Sequence, residues 1–298
     1  MAYDDTGGIP VEPDATLTSL ATGPGQVRYG DTLLGSATPA GLRALIGWRD
    51  LPDVELGDTA RPQGHGSYPG SAYGGPLSPS AVFLLRGTLE AKTLALAAIE
   101  RATRLDGVER PLIVNDGTGA TYRMARVVAR SIPQDVHFQH APVEVSVQWN
   151  CADPRRYGLE STAAAVRVSS TTGGLGYPLD YPLDYGTTVG NSAVVSNTGT
   201  SDSHVVVSFA GPLTRPRIVC SAGWALEFDT PLAAGETLTA NALDGTVLLD
   251  GADRLYTITP TSDPLEACTL PPGESVSVGL SAESGTGTAT VTYRPAYL

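Results

Sequence analysis

Alternation of apolar and polar residues in short runs restricts this chain to β-structure. The clearest run covers residues 143–151. The residues at its odd-numbered positions are apolar: Val143, Val145, Val147, Trp149 and Cys151. Successive side chains of a β-strand point to opposite faces, so the run predicts a strand with one buried face. Cys151 is therefore expected on the apolar side.

The same alternation recurs in the second half of the chain, at residues 204–209, 275–280 and 288–293. Turn-forming segments such as NTGTSD, LDGADR and PPGES separate the runs, and this spacing predicts a β-sandwich or jelly roll. The chain contains 34 Gly and 23 Pro with 17% charged residues, a composition typical of many short strands joined by turns. We expect a mainly β protein.

A length of 298 residues predicts two domains. Residues 1–160 would form the first, residues 161–190 a linker or clasp segment that starts with the small and polar residues 161–176, and residues 191–298 the second. The first domain is expected to be a β-sandwich or split barrel that carries one helix. Its predicted strands cover residues 26–35, 42–48 and 81–90.

Three further elements are predicted in the first domain. Residues 61–79 are rich in Gly, Pro and Ser, so we expect a long exposed loop there. The segment NDGTG at residues 115–119 predicts a hairpin turn in which Asn, Asp and Gly supply positive φ angles. Apolar residues at helical spacing predict a helix over residues 91–105. These residues are Ala91, Leu94, Ala95, Ala98, Ala102 and Leu105.

The cysteine in WNCADP raises the question of a nucleophile or a metal ligand. No cation shares the face of Cys151 in the predicted strand, so nothing there lowers its pKa, and we interpret it as a small core residue. Asp153 and Pro154 would end the strand, with the Asp153 side chain capping the turn. The chain has three cysteines, Cys151, Cys220 and Cys268. Because their number is odd and they lie far apart in sequence, we expect reduced, structural thiols.

Other candidate chemistry is weaker. His137 and His140 have a spacing that binds metal on a helix, but they follow a predicted strand, where i and i+3 face opposite ways. No phosphate-binding glycine loop or nucleophile elbow occurs. Five carboxylates could pair for glycoside hydrolysis, although turn formation is the favoured interpretation. They are Asp180, Asp184, Asp250, Asp253 and Asp263.

The net charge of -12 disfavours nucleic-acid binding. The acidic N-terminus lacks the pattern of a secretory signal, and no apolar run has the length of a membrane span, so we expect synthesis in the cytosol. The repeat GYPLDYPLDYG places Tyr177, Tyr181 and Tyr185 at four-residue spacing. Two interpretations are equally favoured: an ordered linker, and a segment that clasps a neighbouring subunit. A surface on which sugars stack ranks third.

The order of these segments resembles the distal tail protein family of phages with long, non-contractile tails. The likeness covers roughly residues 26–298 and rests on VFLLRGTLEA, VSVQWNCADPRRYG, GGLGYPLD, VSNTGTSDSHVVVSFAGPLTRPRI, LAAGETLTANALDGTVLLDG and the C-terminal LPPGESVSVGLSAESGTGTATVTYRPAYL. The residues that carry it are Trp149, Cys151, Asp153, Pro154, Tyr157, Asn197, Gly199, Gly211, Pro216, Gly235 and Gly273. The repeated YPLD and the segment 61–79 depart from the family's pattern.

The resemblance implies a minor tail protein of the virion, assembled in the host cytoplasm. The first domain would form a hexameric ring at the tail tip and the second, a galectin-like β-sandwich, would lie outside it. The ring would join the tail tube protein and tape measure protein to the tail-tip hub and let DNA pass. No catalytic residue, metal or cofactor comes with this family. The alternative is a carbohydrate-binding module that binds a host glycan weakly; a wall hydrolase ranks third.

Overall fold

A computed structural model describes residue 17 and residues 23–133, 138, 140–172, 187–189 and 192–298. The chain is mainly β, as predicted, and divides into two compact units, Met1–Glu160 together with Leu298, and Ser161–Tyr297. Each described unit has its own hydrophobic core.

The N-terminal unit contains short antiparallel strands and one described α-helix of several turns. The strands are β1 (Gln26–Tyr29), β2 (Thr32–Gly35), β3 (Ala40–Ile46), β4 (Val54–Leu56), β5 (Thr59–Ala60), β6 (Ser67–Tyr68), β7 (Ala72–Gly74), β8 (Ser80–Leu85), β9 (Arg110–Asn115), β10 (Ala120–Ser131), β11 (Val143–Asn150) and β12 (Arg156–Gly158). Helix α1 covers Leu89–Ala102.

The main sheet of this unit has the strand order β2-β1-β9-β10-β11-β8-β3, with β12 beside β10. Strand β10 pairs with β9 along its first half and with β11 along its second, and a bulge between Val127 and Ala129 lies within the second half. A bulge bends a strand and increases its twist. The end strands β2 and β3 are joined by residues 36–39 alone, so the sheet must curl back on itself. The result is a strongly curled sheet around one core.

Helix α1 begins and ends earlier than the predicted 91–105, and its buried face is also different. The Thr88 hydroxyl accepts a hydrogen bond from the Ala91 amide and so starts the helix, while the Thr103 amide bonds to the Ile99 carbonyl at its end. Leu94 and Leu105, predicted as core, are exposed. The buried side chains are Lys92, Leu96 and Ile99.

Four further expectations for this unit need correction. Residues 26–35 form two paired strands, and the strand predicted at 81–90 is Ser80–Leu85. In the β9–β10 turn only Gly117 and Gly119 have positive φ, whereas Asn115 and Asp116 contribute side chains that accept the amides of Gly117 and Thr118. Residues 61–79 are largely exposed but contain the short strands β6 and β7.

The C-terminal unit is built from strands that continue the numbering. They are β13 (Thr162–Arg167), β14 (Ser170–Thr172), β15 (Thr187–Val189), β16 (Ser192–Ser196), β17 (Ser203–Ala210), β18 (Leu213–Thr214), β19 (Arg217–Cys220), β20 (Trp224–Glu227), β21 (Pro231–Leu232), β22 (Thr237–Asn241), β23 (Thr246–Leu249), β24 (Ala252–Asp253), β25 (Thr269–Leu270), β26 (Ser275–Ser281), β27 (Ser284–Gly285), β28 (Thr288–Tyr293) and β29 (Ala296–Tyr297). Two 3-10 turns cover Leu255–Thr257 and Leu265–Ala267.

Two sheets enclose the core of this unit as a β-sandwich. One has the order β13-β28-β17-β22-β23-β24 with β25 beside β17, and the other has the order β16-β26-β19-β20. Buried residues alternate along β17, β26 and β28 as predicted, and the Phe209 and Phe228 rings meet at 5.5 Å between centroids. Residues 162–167, expected in the linker, instead form β13, which pairs along its length with β28.

Candidate assembly surface

The segment after β11 is held by its own side chains. Cys151 exchanges two backbone hydrogen bonds with Leu77, at 3.0 and 2.8 Å. The Asp153 carboxylate accepts the Arg155 amide at 3.0 Å, which forms the capped turn, and accepts the Tyr157 hydroxyl at 2.6 Å. Burial raises the pKa of Tyr157, and the neighbouring Asp153 carboxylate adds to the rise. This strand exit is therefore a rigid structural unit.

Arg123 lies next to this strand exit, and no pattern in the sequence indicated its role. Its side chain is buried, with Nη1 donating to the Trp48 carbonyl at 2.6 Å and Nε to the Pro154 carbonyl at 2.9 Å. The guanidinium also lies 4.7 Å from the centre of the Trp48 ring. Loss of hydration lowers the pKa of Arg123 to about 10. Arg123, which belongs to β10, therefore links this strand by hydrogen bonds to Trp48 and Pro154, two residues that are distant from it in sequence.

Trp149 and Cys151 both belong to the core. The Trp149 ring centroid lies 5.9 Å from that of Tyr29, and neither Trp149 nor Cys151 has exposed surface. Burial raises the pKa of the Cys151 thiol to about 12, although Arg123 acts in the opposite direction. A protonated, inaccessible thiol is a poor nucleophile.

Residues 54–74 form a two-stranded projection that we call the arm. Strand β4 pairs with β7 and β5 pairs with β6, so the arm is one extended hairpin. The Asp58 carboxylate accepts the Gly70 amide at 3.0 Å and the Ser67 hydroxyl at 2.8 Å, and these bonds lower its pKa. Gly57 packs so closely on Gly70 that a Cβ on Gly70 would overlap the Gly57 carbonyl.

The arm exposes apolar side chains that a free hairpin would normally bury. Leu56 is 65% and Tyr73 70% exposed, and Val54 and Tyr68 are also about half exposed or more. The register places Val54 and Leu56 on one face of the hairpin and Tyr73, opposite Glu55, on the other. A two-stranded hairpin is marginally stable in water, and exposed apolar residues that share a face mark interaction surfaces. The arm is therefore a candidate contact with another protein chain.

A shallow apolar groove lies beside helix α1. The cavity has a volume of about 420 Å³ and lies between the helix and the segment from β2 to β3. Its walls include Leu33, Leu34, Pro39, Leu94 and Ala98. Leu94 is 66% exposed, so this face of α1 lacks a covering element within the described chain.

Asn197 and Gly199 fix a turn in the C-terminal unit. The Asn197 side chain is buried and donates to the carbonyls of Ser201 at 2.8 Å and Leu270 at 3.0 Å, and accepts the Gly199 amide at 2.9 Å. A Cβ on Gly199 would overlap the Ala296 carbonyl. These two residues hold neighbouring strands together.

The other residues singled out in this unit also have structural surroundings. Gly211 packs against the Ala233 backbone with no room for a Cβ, whereas Gly235 and Gly273 adopt positive φ angles of 93° and 70° in turns. The Pro216 carbonyl accepts a backbone hydrogen bond from the residue that follows β20. None of these contacts involves a group suited to catalysis.

The described candidate carboxylates of this unit accept backbone amides, and only that of Asp253 does so within a local turn. Asp250 accepts the Thr237 amide, Asp253 the Leu255 amide and Asp263 the Ala225 amide, at 2.8 to 3.1 Å. In the ranges that the structure describes, no three His, Cys, Asp or Glu side chains gather in a way that would hold a metal ion. Among the described helices, none is long and apolar enough to cross a membrane.

Several predicted sites lie outside the described residues. They are His137, Asp180, Asp184, Tyr177, Tyr181 and Tyr185. Their proposed contacts stay predictions.

Comparison with known proteins identifies a shared fold. No family model matches the chain, and no curated protein matches it in sequence. A crystal structure of the SPP1 Dit (gp 19.1) protein superposes with a TM-score of 0.64 at 13% identity, over 92% of this chain and 99% of that one. This chain has the fold of SPP1 Dit.

SPP1 Dit is described as a paradigm of the hub adsorption apparatus in phages that infect Gram-positive bacteria. The phage P2 baseplate in its activated conformation with Ca also matches, with a TM-score of 0.49 at 8% identity, over 90% of this chain and 97% of that one. The Dit fold extends over both units of this chain.

Proposed function

We propose that this chain is a non-enzymatic structural protein of a phage tail tip. The observation that carries the proposal is the match to the SPP1 Dit fold along nearly the full length of both chains. In this proposal the N-terminal unit forms a hexameric ring between the tail tube and the tip hub, and DNA passes through the ring. The tape measure protein and the tail-associated hub protein are its proposed neighbours.

The contact between ring subunits is proposed to join the arm of one copy to the α1 groove of the next. A cyclic ring needs two different, complementary patches on each subunit. The arm offers the exposed apolar side chains of Val54 and Leu56 on one face, and the groove offers a concave apolar surface around Leu94. Both patches belong to the N-terminal unit, and burying them together removes apolar surface from water.

The oligomeric state of the purified full chain tests this proposal. Native mass spectrometry and negative-stain microscopy are expected to show closed six-subunit rings. Leu56→Asp in the arm and Leu94→Asp in the groove should each convert rings to smaller species, because each places a charge in a buried apolar contact. Leu105→Asp is the matched control, since Leu105 is 85% exposed and lies outside both patches.

Two outcomes would count against this assignment. A chain that stays monomeric at every concentration, with and without tail tube protein, would contradict ring formation. Rings that Leu105→Asp weakens as much as the other two variants would contradict the arm-to-groove contact.

A further inference from the structure

A surface cavity of about 570 Å³ lies in the C-terminal unit, far in sequence from the arm. Its lining comes from three separate segments: the turn before β19, the end of β20 with the residues after it, and residues 256–261. The side chains that the argument uses are Arg215, Glu227, Asp229, Tyr256 and Thr261.

The polar side of the cavity is a connected network. Arg215 Nη2 donates to Glu227 Oε1 at 3.1 Å, and Arg215 Nε lies 3.4 Å from Asp229 Oδ1. The Thr261 hydroxyl donates to Glu227 Oε2 at 3.0 Å. The Arg215 side chain is 48% exposed and that of Glu227 only 18%. A guanidinium has five N–H donors, so Arg215 can still donate to a ligand, and each carboxylate oxygen can accept a second hydrogen bond.

The backbone holds these groups in place. Arg215 has a φ of 48°, a left-handed conformation that a non-glycine residue adopts at a cost, and its amide bonds to the Thr230 carbonyl. The Asp229 amide donates to the Thr257 carbonyl at 2.7 Å, and the Thr259 amide donates to the Glu227 carbonyl at 3.0 Å. The network is therefore preorganised by paired backbone.

One aromatic ring stands beside this network. Tyr256 is 77% exposed on the 3-10 turn Leu255–Thr257, whose first amide is accepted by the Asp253 carboxylate at 2.9 Å. The Arg254 guanidinium lies 5.9 Å from the centre of the ring. Tyrosine offers a flat apolar face and a polar tip, and it loses little side-chain entropy when a ligand covers it.

We propose that this cavity binds a neutral saccharide. A sugar ring presents one apolar C–H face, which suits the exposed Tyr256 ring, and vicinal hydroxyls that both donate and accept. The Arg215 fork and the Glu227 and Asp229 carboxylates supply acceptors and donors side by side. This inference does not depend on ring formation.

Two other ligand classes fit the cavity less well. Two carboxylates face one guanidinium within the network, and this excess of negative charge disfavours a phosphate-bearing ligand. A peptide that adds a β-strand would need a free edge at β20. Residues 257–263 already bond to that edge through Thr259 and Asp263.

Saturation-transfer NMR and calorimetry on the full chain test the proposal. The probes are N-acetylglucosamine and galactose oligosaccharides, with a glycerol-phosphate polymer as the anionic comparison. We expect at least one neutral oligosaccharide to bind with a roughly millimolar Kd. Tyr256→Ala and Glu227→Gln should each weaken that binding about tenfold, because each removes one face of the site.

The matched controls are Val194→Ala, which removes an exposed apolar side chain elsewhere in the C-terminal unit, and Glu274→Gln, which neutralises a carboxylate outside the cavity. Both should leave binding unchanged, and thermal unfolding of each variant checks that the fold is intact. Absence of binding to every neutral oligosaccharide would overturn the proposal. Binding of the phosphate polymer alone, or sugar binding that the controls weaken equally, would overturn it too.

Discussion

Cys151 shows how two opposing effects on one side chain are resolved. Arg123 is near enough to favour the thiolate, yet burial costs more and raises the pKa of the thiol to about 12. Cys268 in the C-terminal unit is also buried, and its pKa is likewise raised to about 12 by burial. Desolvation decides the protonation state of both thiols.

This raised pKa predicts alkaline destabilisation. Below pH 9 the Cys151 thiol is protonated in both the folded and the unfolded chain, so it adds no pH dependence. Between pH 9 and 12 the unfolded chain loses the proton while the folded chain keeps it, so the free energy of unfolding falls as pH rises. At pH 10, one unit above the ordinary thiol pKa of 9.0, the loss should be about 1.4 kcal/mol for this thiol.

Urea unfolding of the wild type and of Cys151→Ala at pH 7.5 and pH 10, followed by tryptophan fluorescence, measures this loss. The two pH values lie below and above the ordinary thiol pKa of 9.0. The variant removes the titrating group, so its stability should decrease less over this interval. Equal decreases in the two proteins would show that Cys151 does not ionise on unfolding as proposed.

At the scale of secondary-structure elements, one hydrogen bond determines where helix α1 begins. The Thr88 hydroxyl accepts the Ala91 amide at 3.2 Å in an extended conformation typical of an N-cap. Without it, an amide of the first turn loses its protein partner. The cap explains why the helix starts two residues before the apolar spacing predicts.

Thr88→Ala is expected to reduce the free energy of unfolding by about 1 kcal/mol. Thr93→Ala is the matched control, because Thr93 lies within the helix and its hydroxyl only bonds back to the Leu89 carbonyl. That control should be neutral or slightly stabilising, since Ala is the better helix former. Denaturant unfolding that gives the two variants equal stability would argue against a capping role for Thr88.

At the scale of the whole molecule, charge limits how the proposed ring treats DNA. The chain has 19 basic and 31 acidic residues, which gives the formal net charge of -12. A ring lumen that carries a share of this charge would repel the phosphate backbone, so passing DNA would not be held.

We expect no retention of linear duplex DNA by the purified protein at about 0.15 M salt. Electrophoretic mobility shift measures retention, and repeating it over a salt series measures any counterion release. Firm binding at moderate salt that weakens steeply as salt rises would show a cationic DNA-contacting surface and contradict this expectation.

The amino-acid sequence alone determined the strand character of this protein and much of its core. Alternation correctly placed Trp149, Val207 and Val291 inside, because side-chain direction along a strand follows from backbone geometry. The capped turn at Asp153 was also predictable, because its hydrogen bond joins residues that are neighbours in the chain.

Only the tertiary structure decided which polar groups are buried. Lys92 lies inside because the carbonyls of Phe138 and Ala141 accept its ammonium group, at 2.6 and 3.0 Å. Arg123 is inside because carbonyls from distant segments surround it. The cavity around Tyr256 likewise joins segments far apart in the chain. Periodicity describes one element at a time, whereas burial of a charge depends on partners that only folding brings together.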